Sequence, residues 1–420
     1  MSSRFSALLL SGTALLAMAS SARAIEPEAA ADALLAVMTV GNGTTADYEE
    51  AVLDGSDVVI TGLTLTRGDD AAASEEDGAA APDSENETES EEAAEPEEEA
   101  ADSEAEADGE EEGEEDVVTF TETRIERPTD SDTGIFDSPR ITFTGGAIEG
   151  ESIGTIGGAT LTDVRVLDPE TIEGDDPGKG LLFRTAEATD LSVTPEDQTA
   201  AVTIGRMFME TGDVVDNVAQ SNKGSIENIS LPPELFADSA MGPQTIGFET
   251  LVLGVTWDGS RDIAAQTVNV RDFTLSMQEG GDFSMSAILG KLPAASAMND
   301  ADASAKASEV EVHTITLRYD DKSLAGRILD YLAQQQGIER QAYADQIAAA
   351  LPFMLAALNN PEFQTEVAGA VGAFLKDPKS LTVKIEPQAP VSATEIMSIA
   401  GSAPGTLPDR LNASVTANTD

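Results

Sequence analysis

The residues that could perform chemistry in this chain are almost all carboxylates. The sequence has 78 Asp and Glu residues, one histidine and no cysteine. A cysteine nucleophile is therefore impossible, and a histidine-rich zinc site cannot be built from one imidazole. Two carboxylates at a set separation can hydrolyse a glycoside, and Asp175-Asp176 and Asp320-Asp321 are such pairs in the sequence. With so many acidic residues, neighbouring pairs arise by chance, so a carboxylate-based hydrolase is kept only as a second alternative function.

The single histidine, His313, lies in a run in which apolar and polar residues alternate. Alternation of this kind places successive side chains on opposite faces of a strand, which predicts His313 on the face of Ile315 and Leu317. A catalytic base also needs a nucleophile and an orienting partner, and the sequence nominates neither. We therefore interpret His313 as a strand residue.

Two glycine-rich segments also fall short of a ligand motif. Residues 174–180 are one residue shorter than a phosphate loop and lack the hydroxyl residue after Lys179, so they predict a turn. The glycines from Gly145 to Gly158 lack the acidic ligands of a calcium-binding β-roll and are predicted to serve hairpin turns and bulges. We predict a non-enzymatic protein with no catalytic residue, no metal site and no cofactor.

The N-terminus predicts export. Arg4 precedes an apolar run over residues 5–18, and Ala22-Arg23-Ala24 has the small-x-small pattern of a cleavage site. We predict a signal peptide over 1–24 and a periplasmic location, with secretion as the alternative. No later stretch reaches the roughly 20 apolar residues of a spanning helix, so no integral membrane segment is expected after cleavage.

The charge of the chain restricts its partners. A formal net charge of −55 at pH 7 would be repelled by nucleic-acid phosphates, so no nucleic-acid partner is expected. The insert over 69–116 is rich in Glu and Asp and has no Lys or Arg, which predicts disorder. Strand-like runs flank it, so we interpret it as an expanded hairpin loop. Loose binding of cations is an alternative role for it.

A short element recurs along the rest of the chain and predicts a large antiparallel sheet. It consists of a turn-prone or polar residue followed by apolar, polar and apolar residues, the alternation of a strand with one buried and one wet face. The eight copies begin at Gly62, Asp163, Asp190, Asn228, Asp272, Thr314, Ser380 and Asn412.

The period changes to that of a helix between the sixth and seventh copies. Apolar stripes predict three helices, over 324–332, 343–358 and 363–375, and a further Ala-rich helix is predicted over 27–40. The predicted fold class is α+β and β-rich: a large curved antiparallel sheet with a helical subdomain, from the C-terminal half of the chain, packed on one face or end. The predicted divisions are 1–24 signal peptide, 25–68 N-terminal helix and first strands, 69–116 acidic insert, 117–309 sheet region, and 310–420 strand, three-helix segment and closing strands.

The alternating strands also predict one continuous apolar face. The helices could cover this face entirely, as most sheets bury one face in a core, or part of it could remain an open groove for an apolar ligand. For the groove, the predicted lining residues are Leu191, Val193, Ile229, Leu231, Phe273, Leu275 and Met277.

Two of the strand elements, 160–166 and 268–275, resemble repeats in AsmA-like periplasmic proteins, and the segments 374–383 and 411–418 are similar to the ends of uncharacterised exported alphaproteobacterial proteins. The resemblance implies a twisted sheet that forms a lipid-accommodating groove, and a part in envelope lipid homeostasis. This chain departs from the larger members in its short length and in lacking a retained N-terminal membrane anchor.

The predicted function is that of a periplasmic protein that binds a lipid or other apolar ligand, or an envelope protein, along its sheet in envelope maintenance. The alternative is a structural or interaction protein of the envelope whose acidic loop binds cations.

Overall fold

The structure is a computed structural model that describes residues 25–39, 44–67, 116–169, 180–196, 198–215, 218–237, 242–292 and 307–419. The predicted signal peptide lies outside these ranges. So do the pair Asp175-Asp176 and the predicted acidic insert, except for its last residue. That residue, Asp116, is the first residue of a strand.

The described strands form one antiparallel sheet that does not close. Val, Ile and Thr recur along them, as expected for side chains that suit a pleated surface. The strands are β1 Thr44–Asp47, β2 Glu50–Asp54, β3 Asp57–Arg67, β4 Asp116–Glu126, β5 Thr129–Asp130, β6 Phe136–Glu149, β7 Ser152–Val166, β8 Leu181–Leu182, β9 Thr185–Pro195, β10 Val202–Val215, β11 Val218–Leu231, β12 Leu251–Asp262, β13 Thr267–Met277, β14 Gly281–Gly290, β15 Glu311–Asp321, β16 Ser380–Ile385, β17 Val391–Ser392 and β18 Ala413–Ala417.

The long strands pair in chain order, as in a meander. From β3 the order is β4, β6, β7 and β9, then each strand to the next as far as β16, and finally β18. The short strands β1 and β2 both pair with β3. The predicted β-rich α+β fold with a large antiparallel sheet is confirmed.

Helices cover the two ends of this sheet. They are α1 Pro27–Thr39, α2 Leu324–Gln335, α3 Arg340–Met354, α4 Pro361–Lys376, α5 Ala393–Ser402 and α6 Leu407–Leu411. The N-terminal helix and the three helices after β15 are therefore found where the apolar stripes predicted them, whereas α5 and α6 were not predicted. A 3-10 turn, Leu355–Leu358, follows α3, and Asn360 caps α4 by accepting a hydrogen bond from the Phe363 N–H at 3.0 Å.

The N-terminal end of the sheet is a conventional two-layer core. Leu34 of α1 is fully buried, as are Ile60 of β3, Ile141 of β6 and Val166 of β7. At the C-terminal end, Phe374 of α4 packs edge-to-face on Tyr319 of β15 with ring centroids 6.0 Å apart. Helices therefore pack on the sheet at both of its ends.

A line of skipped pairings crosses seven neighbouring strands from β3 to β11. In each pair of neighbouring strands, the residues just before and just after this line have a partner on the other strand, whereas the residues on the line have none. We call the line the crease, and its members are Gly62, Thr121, Gly145, Gly157, Asp190, Gly205 and Asn228. Four of them, Gly62, Gly145, Asp190 and Asn228, have positive φ angles of 54–64°, a conformation that Gly, Asn and Asp adopt most readily.

The crease changes which residues share a face. Ile60 and Leu63 are three residues apart, yet both are fully buried on the core side of β3. One extra residue in each strand keeps the apolar residues on the same face on both sides of the crease. Of the predicted hairpin turns and bulges, the hairpin turns are wrong at Gly145 and Gly157, because both residues lie inside strands, at an irregularity of the pairing.

Candidate functional site

Three rows of directly opposed residues run across the sheet, two of them from β7 to β15 and the third from β7 to β14. Residues directly opposite each other in an antiparallel pair lie on the same face. The first row is Leu161, Ala186, Met209, Gly224, Trp257, Phe273, Met285 and Leu317. The second row is Ala159, Ala188, Met207, Ile226, Val255, Leu275, Phe283 and Tyr319. The third row is Ile156, Leu191, Ile204, Ile229, Leu253, Met277 and Gly281.

All three rows belong to the same face of the sheet. On β12 and β13 their members are two residues apart, which is the period of one strand face. We call the members of these rows on β9–β14 the apolar strip. No residue in the strip is charged, and four of its side chains are methionines, Met207, Met209, Met277 and Met285.

The apolar strip is open between two covered ends. On β7 the rows begin with Ile156, Ala159 and Leu161, which pack against the core under α1. On β15 the first two rows end at Leu317 and at Tyr319, which lies under α4, and the residue opposite Gly281 of the third row is Asp321. Between these ends, Phe273, Leu275 and Phe283 expose 36%, 40% and 40% of their surface. Helices therefore do not cover the whole apolar face, because these three side chains are left exposed.

The strip is long enough for an extended hydrocarbon chain. Neighbouring strands lie about 4.8 Å apart, so the five steps from β9 to β14 span about 24 Å. One leaflet of a bilayer has a hydrocarbon thickness of about 15 Å, half of the whole core. A membrane lipid's acyl chain can therefore lie across the strands within the strip.

The seven predicted lining residues share this face. Leu191, Ile229 and Met277 lie in the third row, and Phe273 and Leu275 lie in the first and second. Val193 and Leu231 follow Leu191 and Ile229 by two residues on their strands. The structure thus brings together residues from β9, β11 and β13, which alternation alone had grouped.

Sequence reasoning missed the strip residues of β10, β12 and β14. Met207 and Met209 lie on β10, and Phe283 and Met285 lie on β14. Each pair is spaced by two residues, so the same alternation could have found them. Trp257 lies on the interior strand β12, and its indole covers Gly224, where an added Cβ would overlap the ring.

The opposite face of the same strands is polar and carries a row of ion pairs. Glu210 of β10 lies between Arg184, at 2.7 Å, and Lys223 of β11, at 2.9 Å. Next to them, the Arg271 guanidinium of β13 bonds Asp258 of β12. The hydrogen bond from Lys223 lowers the pKa of Glu210, and the hydrogen bond from Arg271 lowers the pKa of Asp258. This face is suited to water, which leaves the apolar strip as the face available to an apolar ligand.

A depression of about 540 Å³ on the polar face is a weaker candidate site. Its charged lining includes Arg165 and Arg184. Arg165 is paired with Asp137 at 2.8 Å, and Arg184 is paired with Glu210. Because both cations already have acidic partners, the depression presents no uncompensated charge to an anion.

The carboxylate pair Asp320-Asp321 is held in two separate roles. Asp320 is ion-paired with Arg318 at 2.7 Å. Asp321 accepts hydrogen bonds from the Tyr319 hydroxyl, at 2.7 Å, and from the Ala325 N–H, at 2.8 Å, at the start of α2. Burial, reinforced by the hydrogen bond to Asp321, raises the pKa of Tyr319. Adjacent strand residues point to opposite faces, so these two carboxyl groups do not flank a common space.

His313 lies at an irregularity in the sheet. The pairing of β14 with β15 shifts by one residue between Ile288 and Leu289, and His313 is the residue left over. The alternation on which its predicted face was based is interrupted at that point. Its Nε2 lies 3.9 Å from a Glu311 carboxylate oxygen. Within the described ranges, no group of three or more His, Asp or Glu side chains is arranged to hold a metal ion.

Comparison with known proteins adds one match. A protein-family model with the description "Uncharacterized protein" matches residues 274–418. The match runs from β13 to β18 and includes α2–α6, among them α4, which packs on β15 next to the strip. No curated protein matches the chain. None of the helices in the described ranges is long and apolar enough to cross a membrane.

Proposed function

We propose that the protein is a non-enzymatic lipid-binding protein whose apolar strip holds the acyl chain of an envelope lipid. The observation that carries the proposal is the exposure of Phe273, Leu275 and Phe283 within a strip that has no charged residue over six neighbouring strands. Exposed apolar surface of this extent marks an interaction site, because full burial of a large apolar side chain is worth about 1.5–3 kcal/mol and each of these three still has a part of that to gain.

The chemistry of the strip favours a flexible apolar ligand. Methionine side chains are unbranched and adapt to the shape of what they contact, and four of them lie among the aromatic rings of Trp257, Phe273 and Phe283. Such a surface accepts acyl chains of different length or unsaturation. The similarity to AsmA-like periplasmic proteins implies the same class of ligand and the same compartment, and it remains a prediction.

The experiment is native mass spectrometry, followed by organic extraction, on the protein purified from the periplasm of an expressing bacterium without detergent. We expect a phospholipid or fatty acid bound at a stoichiometric level. In the double variant Leu275→Asp, Phe283→Asp, two carboxylates enter the strip and burying them against an acyl chain is costly, so the bound lipid should fall at least about tenfold.

The matched control is Ser284→Asp, on the same strand as Phe283 but on the polar face opposite Arg318. This variant should keep the wild-type amount of lipid. Wild-type protein that carries no lipid, and takes up none from vesicles, would overturn the proposal in favour of an interaction protein. Equal loss of lipid in both variants would show that the strip is not the binding surface.

A further inference from the structure

A second exposed apolar surface lies at the far end of α3. Phe353 and Met354 expose 83% and 70% of their surface, and Met397 of α5 exposes 64%. An exposed phenylalanine followed by an exposed methionine at the end of a helix is unfavourable in water unless another surface covers them.

The sequence around this end carries no charge. Residues 346–361 contain no Asp, Glu, Lys or Arg, although charged residues make up 24% of the chain. Residues 396–408, which contain Met397, are likewise uncharged. The chain as a whole has a net charge of −55, so two uncharged segments with exposed apolar side chains differ from the rest of it.

The fold brings these two segments together. The Asn360 side chain is buried where they meet, and its Nδ2 donates to the Gly405 carbonyl oxygen at 2.9 Å and to the carboxylate of Asp409, just outside the second segment, at 3.4 Å. Asn359, with a φ of 51°, turns the chain from the end of α3 into α4 at this point. We call residues 346–361 and 396–408 the neutral end of the helical subdomain.

We propose that the neutral end docks on the surface of a zwitterionic phospholipid bilayer, with Phe353 and Met354 inserted among the lipid chains. Apolar side chains at an uncharged tip can enter the boundary between headgroups and acyl chains without burying a charge. The acidic remainder of the protein is repelled by anionic lipids, so a zwitterionic surface fits this charge distribution better than an anionic one.

The choice of a bilayer over a protein partner rests on the proposed function. A lipid held on the apolar strip has to enter from a membrane and return to one. A docking surface of two apolar side chains is small, so binding should be weak and reversible, as exchange of a ligand requires.

The test is flotation of the full-length mature protein with phosphatidylcholine vesicles. Wild-type protein should float with them, and less of it should float when phosphatidylglycerol is added at low salt. The double variant Phe353→Asp, Met354→Asp should bind the vesicles at least about tenfold more weakly. The control Ile153→Asp replaces another exposed apolar residue, 68% exposed on β7, and should float as the wild type does.

A second readout does not depend on loss of function. In a Phe353→Trp variant that also carries Trp257→Phe, brominated phosphatidylcholine vesicles should quench the single remaining tryptophan, which reports on the neutral end alone. Wild-type protein that does not float, or flotation that is equal in the tip variant and the control, would overturn the docking surface. A wild-type dimer that becomes monomeric in the tip variant would identify a second copy of the chain as the occupant instead.

The two proposals can be separated by crossing their variants and readouts. The strip variant Leu275→Asp, Phe283→Asp should lose its lipid and still float. If the wild type floats through the neutral end but carries no lipid, only the proposed function fails. If it carries lipid and does not float, only the docking surface fails.

Discussion

At the scale of single residues, the apolar strip depends on a close contact between the side chain of Trp257 and the backbone of the neighbouring strand. Trp257 can lie flat on the apolar strip because the residue opposite it on β11 is Gly224. An added Cβ at Gly224 would overlap both the indole ring and the carbonyl oxygen of Phe208. The smallest residue in the strip therefore determines where its largest side chain lies.

We predict that Gly224→Ala destabilises the protein by about 1–3 kcal/mol, because the indole and the strand backbone have to move apart. The measurement is urea unfolding, with the emission maximum of the single tryptophan as a second signal. Gly254→Ala on β12 is the matched control, since its nearest neighbour, the Ile226 carbonyl oxygen, lies at an ordinary 3.6 Å. Equal effects of the two substitutions would show that the indole does not lie on Gly224.

Residues at the crease show how a local signal can be read in two ways. The recurring element begins with Gly62, Asp190 and Asn228, residue types typical of turns. In the structure these residues have positive φ inside long strands. The same conformational freedom that suits them to turns allows each to accommodate an extra residue in the sheet. The residue type predicted the unusual backbone, but not its place within the strand.

At the scale of elements, the two faces of β9–β13 have separate roles. The apolar strip is free of charge, whereas the opposite face is joined by ion pairs from one strand to the next, with Glu210 between Arg184 and Lys223. Exposed pairs of this kind contribute little individually. Together they match charge across the strands and penalise a register shift by one residue, which would bring the charges onto the apolar face.

The ion pairs predict a pH dependence. The pKa values of Glu187 and Glu210 are lowered by Arg206 and Lys223, so their contribution to stability is complete above the unfolded-state pKa of about 4.3. It is lost as the pH falls through the lower folded-state pKa. Lys223→Met should lower the melting temperature by about 1–3 °C at pH 7, and the difference from wild type should shrink as the pH falls through the folded-state pKa of Glu210. A difference that keeps the same size at acid pH would contradict this account.

At the scale of the whole molecule, the sheet changes from two layers to one and back again. The side chains under α1 are fully buried, those on β9–β14 are partly exposed, and α4 covers the sheet again at β15. Burial at the N-terminal end is sufficient for an ordinary core. The middle of the sheet is stabilised by pairing along both edges of each strand and leaves its apolar face for a ligand.

This arrangement predicts unequal costs for the same substitution. Leu34→Ala, at a fully buried position in α1, should lower the free energy of unfolding by about 2–5 kcal/mol. Leu275→Ala, at a position 40% exposed in the strip, should lower it by less than about 1 kcal/mol. Urea unfolding of both variants, without added lipid, checks the prediction. A cost at Leu275 similar to that at Leu34 would show that the strip is covered in solution.

Local side-chain patterns determined much of this fold in advance. The alternation after Asp163, Asp190 and Asn228 predicted strands, and the apolar stripes predicted α1 and α2–α4, because the periods of two and 3.6 residues belong to the elements themselves. The same alternation was enough to group the seven predicted lining residues on one face, since a strand's faces are set by its own backbone.

Only the tertiary structure decided the rest. Whether Phe273 and Phe283 are buried or exposed depends on how far α1 and α4 extend over the sheet. The spacing of apolar residues along one strand does not reveal that extent. The line of the crease depends on the register between strands that are far apart in sequence. The neutral end likewise requires Asn360 to meet Gly405, 45 residues later. Sequence periodicity is a property of one element, whereas cover, register and proximity are properties of elements packed together.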